Sequence, residues 1–515
     1  MLAKILSGAN VGLDAVPVTI EVDIALQGLP SFTIVGLADR AVEESKERVR
    51  SAIRNSKAEI LSKKITINLA PADLPKEGPS YDLPIALGLL LASGQIPQEK
   101  LKETLVVGEL SLDGSLRRTH GVLPLALLAK QIGIKTIFVP KDNAQEAAIV
   151  EGVEVLAFES LSEVLKMLLG QLEIKPVKRK KIDLDNALAH FEYDFSQVKG
   201  QEQAKRALEI AATGGHNILL KGPPGAGKTM LARAFPSILP PLSLNEAMEV
   251  TKMYSISGNL PSGTSFITTR PFRAPHHTAS YVGLIGGGNS IRPGEISLAH
   301  RGVLFMDELP EFPRQVLEVL RQPLEDHHVT ISRASGSLTF PAQFILLAAQ
   351  NPCPCGYLGD IKRQCVCMPG QISKYQRKIS GPLLDRVDIY LEVPAVDMDK
   401  LSEDYQGEDS KSIRQRVVAA RKIQEKRYQS LPVGRQGKML TNSEMGPDEI
   451  KQFCQITEDG LNLLKMAISS LNLSARGYHR VLKLSRTVAD LAGSENILTE
   501  HVAEALQYRA RDENH

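Results

Sequence analysis

The sequence has no tryptophan, and aromatic residues make up only 5% of it. Base stacking on aromatic rings is therefore not expected to dominate any contact with nucleic acid. Cysteines number five; four crowd between Cys353 and Cys367, and Cys454 stands alone. That distribution does not suggest a secreted scaffold held by disulfides. No uncharged apolar run reaches the roughly 18 residues that suggest a membrane-spanning helix. The opening MLAKILSGANVGLDAVPVTIEVDI alternates like a strand and lacks the apolar core and cleavage site of a secretion signal. The expected location is the cytoplasm, with no membrane partner. Net charge is only +2, so a nucleic-acid surface would need its basic residues concentrated locally.

At 515 residues the chain is too long for one core, and length alone suggests about three domains. Residues 1–172 read as a compact α/β unit. Apolar, β-branched runs recur at 17–25, 64–70, 104–110, 136–140 and 153–158, with helical stretches at 41–56 and 82–93 between them. Residues 173–189 lose this periodicity and turn basic at Lys175, Lys178, Arg179, Lys180 and Lys181, as a solvated linker does. Residues 190–395 form a second α/β unit. Its runs NILLKG (217–222), GVLFMDE (302–308) and FILLAAQN (344–351) are of strand length and end in polar residues. Such runs suit parallel strands buried on both faces, with the chemistry gathered at their carboxyl ends. Residues 396–515 are charged and helix-rich, notably at 410–430 and 474–493, around a loop at 431–442.

The segment Gly222-Pro223-Pro224-Gly225-Ala226-Gly227-Lys228-Thr229 follows the first of those strands and precedes a helix. It fits the G-x-x-x-x-G-K-S/T phosphate-binding loop in the right context. Glycines let backbone N–H groups close around phosphate oxygens, and a helix N-terminus favours negative charge. Lys228 would reach the β- and γ-phosphates of ATP, and Thr229 would ligate Mg²⁺. Asp307 would hold the same ion through water, and Glu308 would orient and deprotonate the attacking water. Asn351 could hydrogen-bond that water or the γ-phosphate, or simply end its strand before Pro352. Arg386 could stabilise charge on a transferring phosphoryl group in trans, or pair with Asp385 or Asp388. Arg476 opens a helix from which a cation could also reach nucleotide.

KGPPGAGKTMLARAFPSILPPL, RPFRAPHHTAS, IRPGEISLAHRGVLFMDELPEF, NPCPCG and SGPLLDRVDIYLEV together resemble the YifB/ComM family of Mg-chelatase-like AAA+ ATPases. The resemblance runs over nearly the whole chain. It implies an α/β fold class in three parts: a Lon-like (ribosomal S5 domain 2-like) N-terminal domain, a P-loop AAA+ parallel-sheet core, and a helical C-terminal lid of Mg-chelatase type. It implies a homo-hexameric ring with ATP between subunits. Asn351 then falls on the sensor-1 position, Arg386 on the trans arginine finger and Arg476 on the sensor-2 arginine. PKEGPSYDLPIALGLLLASG (75–94) resembles the Lon segment with its nucleophilic serine, here Ser80. The activating lysine position falls on Leu123, and Lys130 lies about two helical turns beyond it. An unassisted hydroxyl is a weak nucleophile, so no protease is expected and Ser80 reads as a cap or turn residue.

Cys353, Cys355, Cys365 and Cys367 form two C-x-C pairs in a short loop. Four thiolates could bind structural Zn²⁺, although one residue between ligands is tighter than the usual spacing. Free thiols or a reversible disulfide remain open. His276-His277 and His327-His328 read as ordinary surface or interface residues. Two segments could touch DNA in the pore of a ring: the glycine-rich 280–294, and 327–340, which reads as a hairpin around Ser335-Gly336 with Arg333 near its tip. Cations on such loops can grip phosphates without reading sequence, and packing between subunits is the alternative. The function expected is a DNA-remodelling motor of the branch-migration helicase type, linked to recombination or transformation. The alternative is an AAA+ chaperone-like motor acting on a protein or porphyrin client, as in magnesium chelatase.

Overall fold

The computed structural model of the chain describes every residue except 1, 26, 38, 181–190, 262, 289–290, 334–335, 361–362, 396–406, 433–438, 471–473 and 510–515. Most of the expected linker, its Lys181 included, and the middle of the 431–442 loop lie outside the described residues. Near the amino terminus a seven-stranded mixed sheet runs in the order Ser31–Val35, Lys64–Ala70, Asp14–Ile24, Leu2–Val11, Thr104–Val106, Thr136–Pro140, Glu154–Phe158. Alternation in Lys64–Ala70 turns Ile65, Ile67 and Leu69 inward. The helix Asp82–Ala92 is apolar nearly all round because it is buried nearly all round. It lies so close to the sheet that a Cβ on Gly88 would stand 2.6 Å from Val22 Cγ2.

Ser80 sits in the turn Pro79–Tyr81, where its carbonyl accepts the Gly108 N–H at 2.9 Å. The following helix has no side-chain cap bond, so the serine is a turn residue and not a cap. Leu123 is fully buried, and Lys130 is exposed at the far end of the same helix.

The second sheet has five strands in the order Phe272–Arg273, Val303–Met306, Ile345–Gln350, Ile218–Lys221, Ile389–Glu392, and every pairing is parallel. Ile218, Leu220, Val303, Phe305 and Leu347 face one apolar cluster, while Leu219, Leu304, Met306, Leu346 and Ala348 face another. Burial on both faces explains why these runs are apolar without alternating. The first cluster continues into a helical region, where Ile413 and Val417 of Ser410–Gln429 and Leu482 and Val488 of Ala475–Leu491 complete it. Among the described residues no helix is long and apolar enough to cross a membrane.

A buried polar network holds those helices together. Asp490 accepts from Arg427 Nη1 at 2.9 Å, Arg486 Nε at 3.0 Å and Asn442 Nδ2 at 2.8 Å, and its side chain is fully buried. Next to it, His216 before the Ile218–Lys221 strand meets Thr487 Oγ1 at 2.8 Å and Asp388 at 3.4 Å. Asp388 is in turn 3.7 Å from Arg480. The helix Ala475–Leu491 is thereby fixed to the amino ends of the core strands. Removing one partner of a buried ion pair leaves an uncompensated charge, at a cost of about 3–5 kcal/mol. Asp490→Ala is expected to lose that much, seen in a urea titration as an earlier midpoint for the helical region's transition.

Candidate functional site

The three polar strand ends meet. The Ile218–Lys221 strand runs into the phosphate-binding loop, and the helix Lys228–Ala234 begins at once behind Gly227. Gly225 and Gly227 are left-handed (φ 78° and 82°), and nothing lies within 4 Å of a Cβ built on either. The loop is therefore open on that side, a cradle shaped for phosphate oxygens. Gly222 is required for another reason: a Cβ there would stand 2.1 Å from the Val393 carbonyl oxygen.

Lys228 is buried, and its Nζ donates to the carbonyls of Gly222 at 2.7 Å and Pro223 at 2.8 Å and to Asn351 Oδ1 at 3.1 Å. Burial pushes its pKa down, while the Asp307 and Glu308 carboxylates push it back up. Thr229 Oγ1 donates to Asp307 Oδ2 at 2.8 Å, which puts a hydroxyl and a carboxylate side by side as a hard cation such as Mg²⁺ requires. Lys228, Thr229, Asp307 and Asn351 thus converge from three strands on one point.

Glu308 is left-handed (φ 51°), unusual for a residue other than glycine. Its carboxylate lies 3.5 Å from His277 Nδ1. His277 also packs against His276 with the rings tilted by 34° and their centroids 4.0 Å apart, and meets Phe312 edge-on. His277 is partly exposed, and its place beside Glu308 was not among the sequence expectations. It follows the two-residue strand Phe272–Arg273, which lies beside Val303–Met306, so strand pairing delivers it to Glu308. A strand of two residues has no readable period, and only its place in the RPFRAPHHTAS segment hinted at a role.

Arg386 and Arg476 lie elsewhere. Arg386 precedes the Ile389–Glu392 strand, and its carbonyl accepts from Asn217 Nδ2 at 3.0 Å, just before Ile218–Lys221 begins. Both arginines line a cavity of about 470 Å³ at the amino ends of the strands, on the opposite edge from Lys228. A four-residue strand separates the two edges by roughly 13 Å. Arg386 pairs with neither Asp385 nor Asp388, the partners its sequence offered. Its Nη1 donates to the Pro382 carbonyl at 2.6 Å and its Nη2 to Glu325. Arg476 Nη2 is 3.9 Å from the other Glu325 oxygen. In this arrangement both arginines face away from the phosphate-binding loop of their own chain.

The four clustered sulfurs lie within 4.8 Å of one another. Cys353 is 3.4 Å from Cys355 and 3.7 Å from Cys365, and Cys355 is 3.6 Å from Cys365. Tetrahedral Zn–S bonds imply sulfur separations of roughly 3.8 Å, so the donor set fits zinc despite the tight C-x-C spacing. Backbone N–H groups of Tyr357 and Val366 pull the Cys355 thiol down to about 6, while the thiols of Cys365 and Cys367 beside it are pushed up. The loop leans on the nucleotide site: a Cβ on Gly356 would stand 2.6 Å from Pro224 Cδ.

Segment 327–340 forms the hairpin His328–Arg333 and Gly336–Pro341. Gly336 already pairs with Arg333, so the glycine belongs to a strand and not to the connection, whose residues 334 and 335 lie outside the described residues. Segment 280–294 is less of a loop than expected, with a helix at Tyr281–Ile285 and a short pairing of Gly286–Gly287 with Arg292–Pro293. The two segments touch, since a Cβ on Gly287 would stand 3.0 Å from Arg333 Nη2.

Known proteins match along the whole chain. The family model for magnesium chelatase, subunit ChlI, matches residues 194–401; subunit ChlI of Mg-chelatase matches 20–143, and the ChlI C-terminal model matches 407–509. Competence protein ComM of Haemophilus influenzae is 44% identical over 99% of this chain and 97% of its own length. YifB of Escherichia coli K12 is 46% identical over 98% of this chain and 96% of its own. Lon protease 2 of Bacillus subtilis is 31% identical over 29% of this chain and 30% of its own length.

Two outcomes are expected from this geometry. Glu308→Gln should bind ATP normally and lose turnover by about 10²–10⁴-fold, as loss of a general base does; equilibrium binding set against steady-state hydrolysis checks it. Elemental analysis should find one zinc per chain, lost in a Cys355→Ser, Cys365→Ser double variant, with weaker ATP binding because the loop backs Pro224.

Proposed function

The chain belongs to the YifB/ComM family of Mg-chelatase-like AAA+ ATPases, and from that premise we propose a homo-hexameric ring motor that couples ATP hydrolysis to the binding and remodelling of DNA, in the manner of a branch-migration helicase. In this reading residues 1–172 are a Lon-like domain without the catalytic dyad, 173–189 the linker, 190–395 the ATPase core and 396–515 the helical domain. Lys228 leaves the Gly222 and Pro223 carbonyls for the β- and γ-phosphates of ATP. Thr229 and Asp307 would hold Mg²⁺, which would neutralise charge on the phosphate oxygens. Glu308 takes the proton of the attacking water, whose oxygen bonds the γ-phosphorus as the bond to the ADP oxygen breaks. Asn351 orients that water or a γ-oxygen, and His277 positions the Glu308 carboxylate. Zinc on the four cysteines would serve only to staple the loop behind Pro224.

Arg386 and Arg476 act on the ATP of a neighbouring subunit. What supports this is their position: they face away from their own phosphate loop across the length of a strand. A cation aimed at a transferring phosphoryl group in trans raises its rate by roughly 10³–10⁵.

The observation that carries the DNA reading is the face of the hairpin. Val329, Ile331 and Phe340 are buried, while Thr330, Ser332, Ser337 and Thr339 are exposed and paired across the strands at 3.0–3.1 Å. Exposed Arg333 stands at the end of this row of hydroxyls. Hydroxyls and a guanidinium are donors for phosphate oxygens, and no aromatic side chain stands among them to read or stack a base. Full-length similarity to a protein named for competence agrees with a DNA substrate.

The test is steady-state ATPase activity with and without branched DNA, at two salt concentrations. Wild-type turnover is expected to rise with DNA and to weaken with salt, and Lys228→Ala to abolish it. Arg333→Ala should lower the salt slope of DNA binding by about one for each phosphate that is no longer neutralised. Turnover that needs Lys228 yet ignores DNA would overturn the DNA reading in favour of a protein or porphyrin client.

A further inference from the structure

Glu325 joins the two arginines that this subunit presents to its neighbour. Its carboxylate gives one oxygen to Arg386 Nη2 and turns the other toward Arg476 Nη2 at 3.9 Å. The three side chains differ in exposure. Arg386 is 12% exposed and held at a second point by the Pro382 carbonyl, while Glu325 and Arg476 are 54% and 65% exposed. Arg386 Nε is buried with no partner, so its guanidinium is only partly satisfied by these contacts. Of the other acids lining the cavity, Asp388 is occupied by His216 and Arg480, Glu246 by Arg270, and Glu444 by Thr441.

Glu325 also has a second connection. It is the penultimate residue of the helix Arg321–Asp326, which is followed by His327, left-handed at φ 58°, and His328, the first residue of the hairpin. Two residues therefore separate the carboxylate holding both arginines from the strand that ends at Arg333.

We propose that Glu325 is a latch, a carboxylate that stands in for the neighbour's γ-phosphate on Arg386 and Arg476 and is displaced from them when that phosphate arrives. This rests on the trans role of the two arginines proposed above. Glu325 is a positioning residue, because it acts through the arginines and not on ATP. A terminal phosphate carries more charge and more acceptor oxygens than a carboxylate, so it wins both guanidiniums. Once they are taken, Glu325 faces a like charge and moves away. Its motion passes through His327 into the base of the hairpin. The nucleotide state of one subunit is thereby read by the DNA-facing hairpin of the next, and by reciprocity a ligand that shifts the hairpin loosens the latch.

Glu325→Gln keeps the shape and removes the charge, so the test is its ATPase kinetics in the full-length protein, with and without branched DNA. The expected result is a DNA-free turnover raised by roughly fivefold or more, a lower KM for ATP and less remaining stimulation by DNA. Glu325→Ala must move the same way, and Glu325→Asp, which restores the charge, must return toward wild type. A side chain needed only for folding would lower turnover and would not be rescued by charge. Arg386→Ala is the control on the underlying reading. If it turns over like wild type, the trans role of the arginine fails. If it is inactive while binding ATP, and Glu325→Gln is unchanged or slower in DNA-free turnover, the latch is overturned and the trans role stands. Should DNA prove not to stimulate, DNA-free turnover and KM alone decide the latch.

Discussion

All five strands of the core sheet run the same way, and the arrangement of polar groups around them follows from that direction. A parallel strand has two chemically different ends. The carboxyl ends carry Lys228, Asp307, Glu308 and Asn351 to one point without any of these residues being near another in sequence beyond one pair. The amino ends receive Asn217, Asp388 and Arg386, and the helix Ala475–Leu491 docks there through Arg480 and Thr487. Both faces of these strands are buried, Leu220 on one apolar cluster and Leu219 on the other, so helices and loops cover the sheet and leave its two ends for the polar groups.

Around this frame, close approach does much of the positioning. Gly222 lets the phosphate loop press on Val393, and Gly356 lets the cysteine loop press on Pro224. Asn351 sits between the two, two residues before Cys353. Any tightening of the sulfur cluster is therefore felt in the wall of the nucleotide site. The amino-terminal domain is joined to the core on another side: Gly121 N–H donates to the Ser255 carbonyl at 3.0 Å, and Leu242, Ala247 and Phe266 share an apolar cluster with Leu125 and Val139.

Much of this was legible in the sequence, for identifiable reasons. Strands buried on both faces are apolar runs that end abruptly, so Ile218–Lys221, Val303–Met306 and Ile345–Gln350 could be read directly, together with the polar residues that end them. The hairpin was readable because its two strands alternate, although its register was not: which residues connect the strands depends on the pairing of Arg333 with Gly336. Contacts between distant segments were hidden. Nothing local ties His277 to Glu308 or Glu325 to Arg386. Asp385 and Asp388 were the nearer acids to Arg386 in sequence, yet the fold gives Asp388 to His216 and Arg480. The four cysteines could be grouped by spacing, but only the separations between their sulfurs show that a tight C-x-C pair still closes into a tetrahedron's edge.

The separation of the phosphate loop from the arginines has a consequence best put in genetic terms. With the two arginines acting in trans, as proposed, a chain built this way would own two halves of different sites and no whole one. Damage to Lys228 would then spoil the site on one edge of a subunit, and damage to Arg386 the site on the other. Two alleles, each inactive alone, would then complement when co-expressed. Wherever a chain with an intact cradle meets a chain with intact arginines, an undamaged site forms between two damaged proteins.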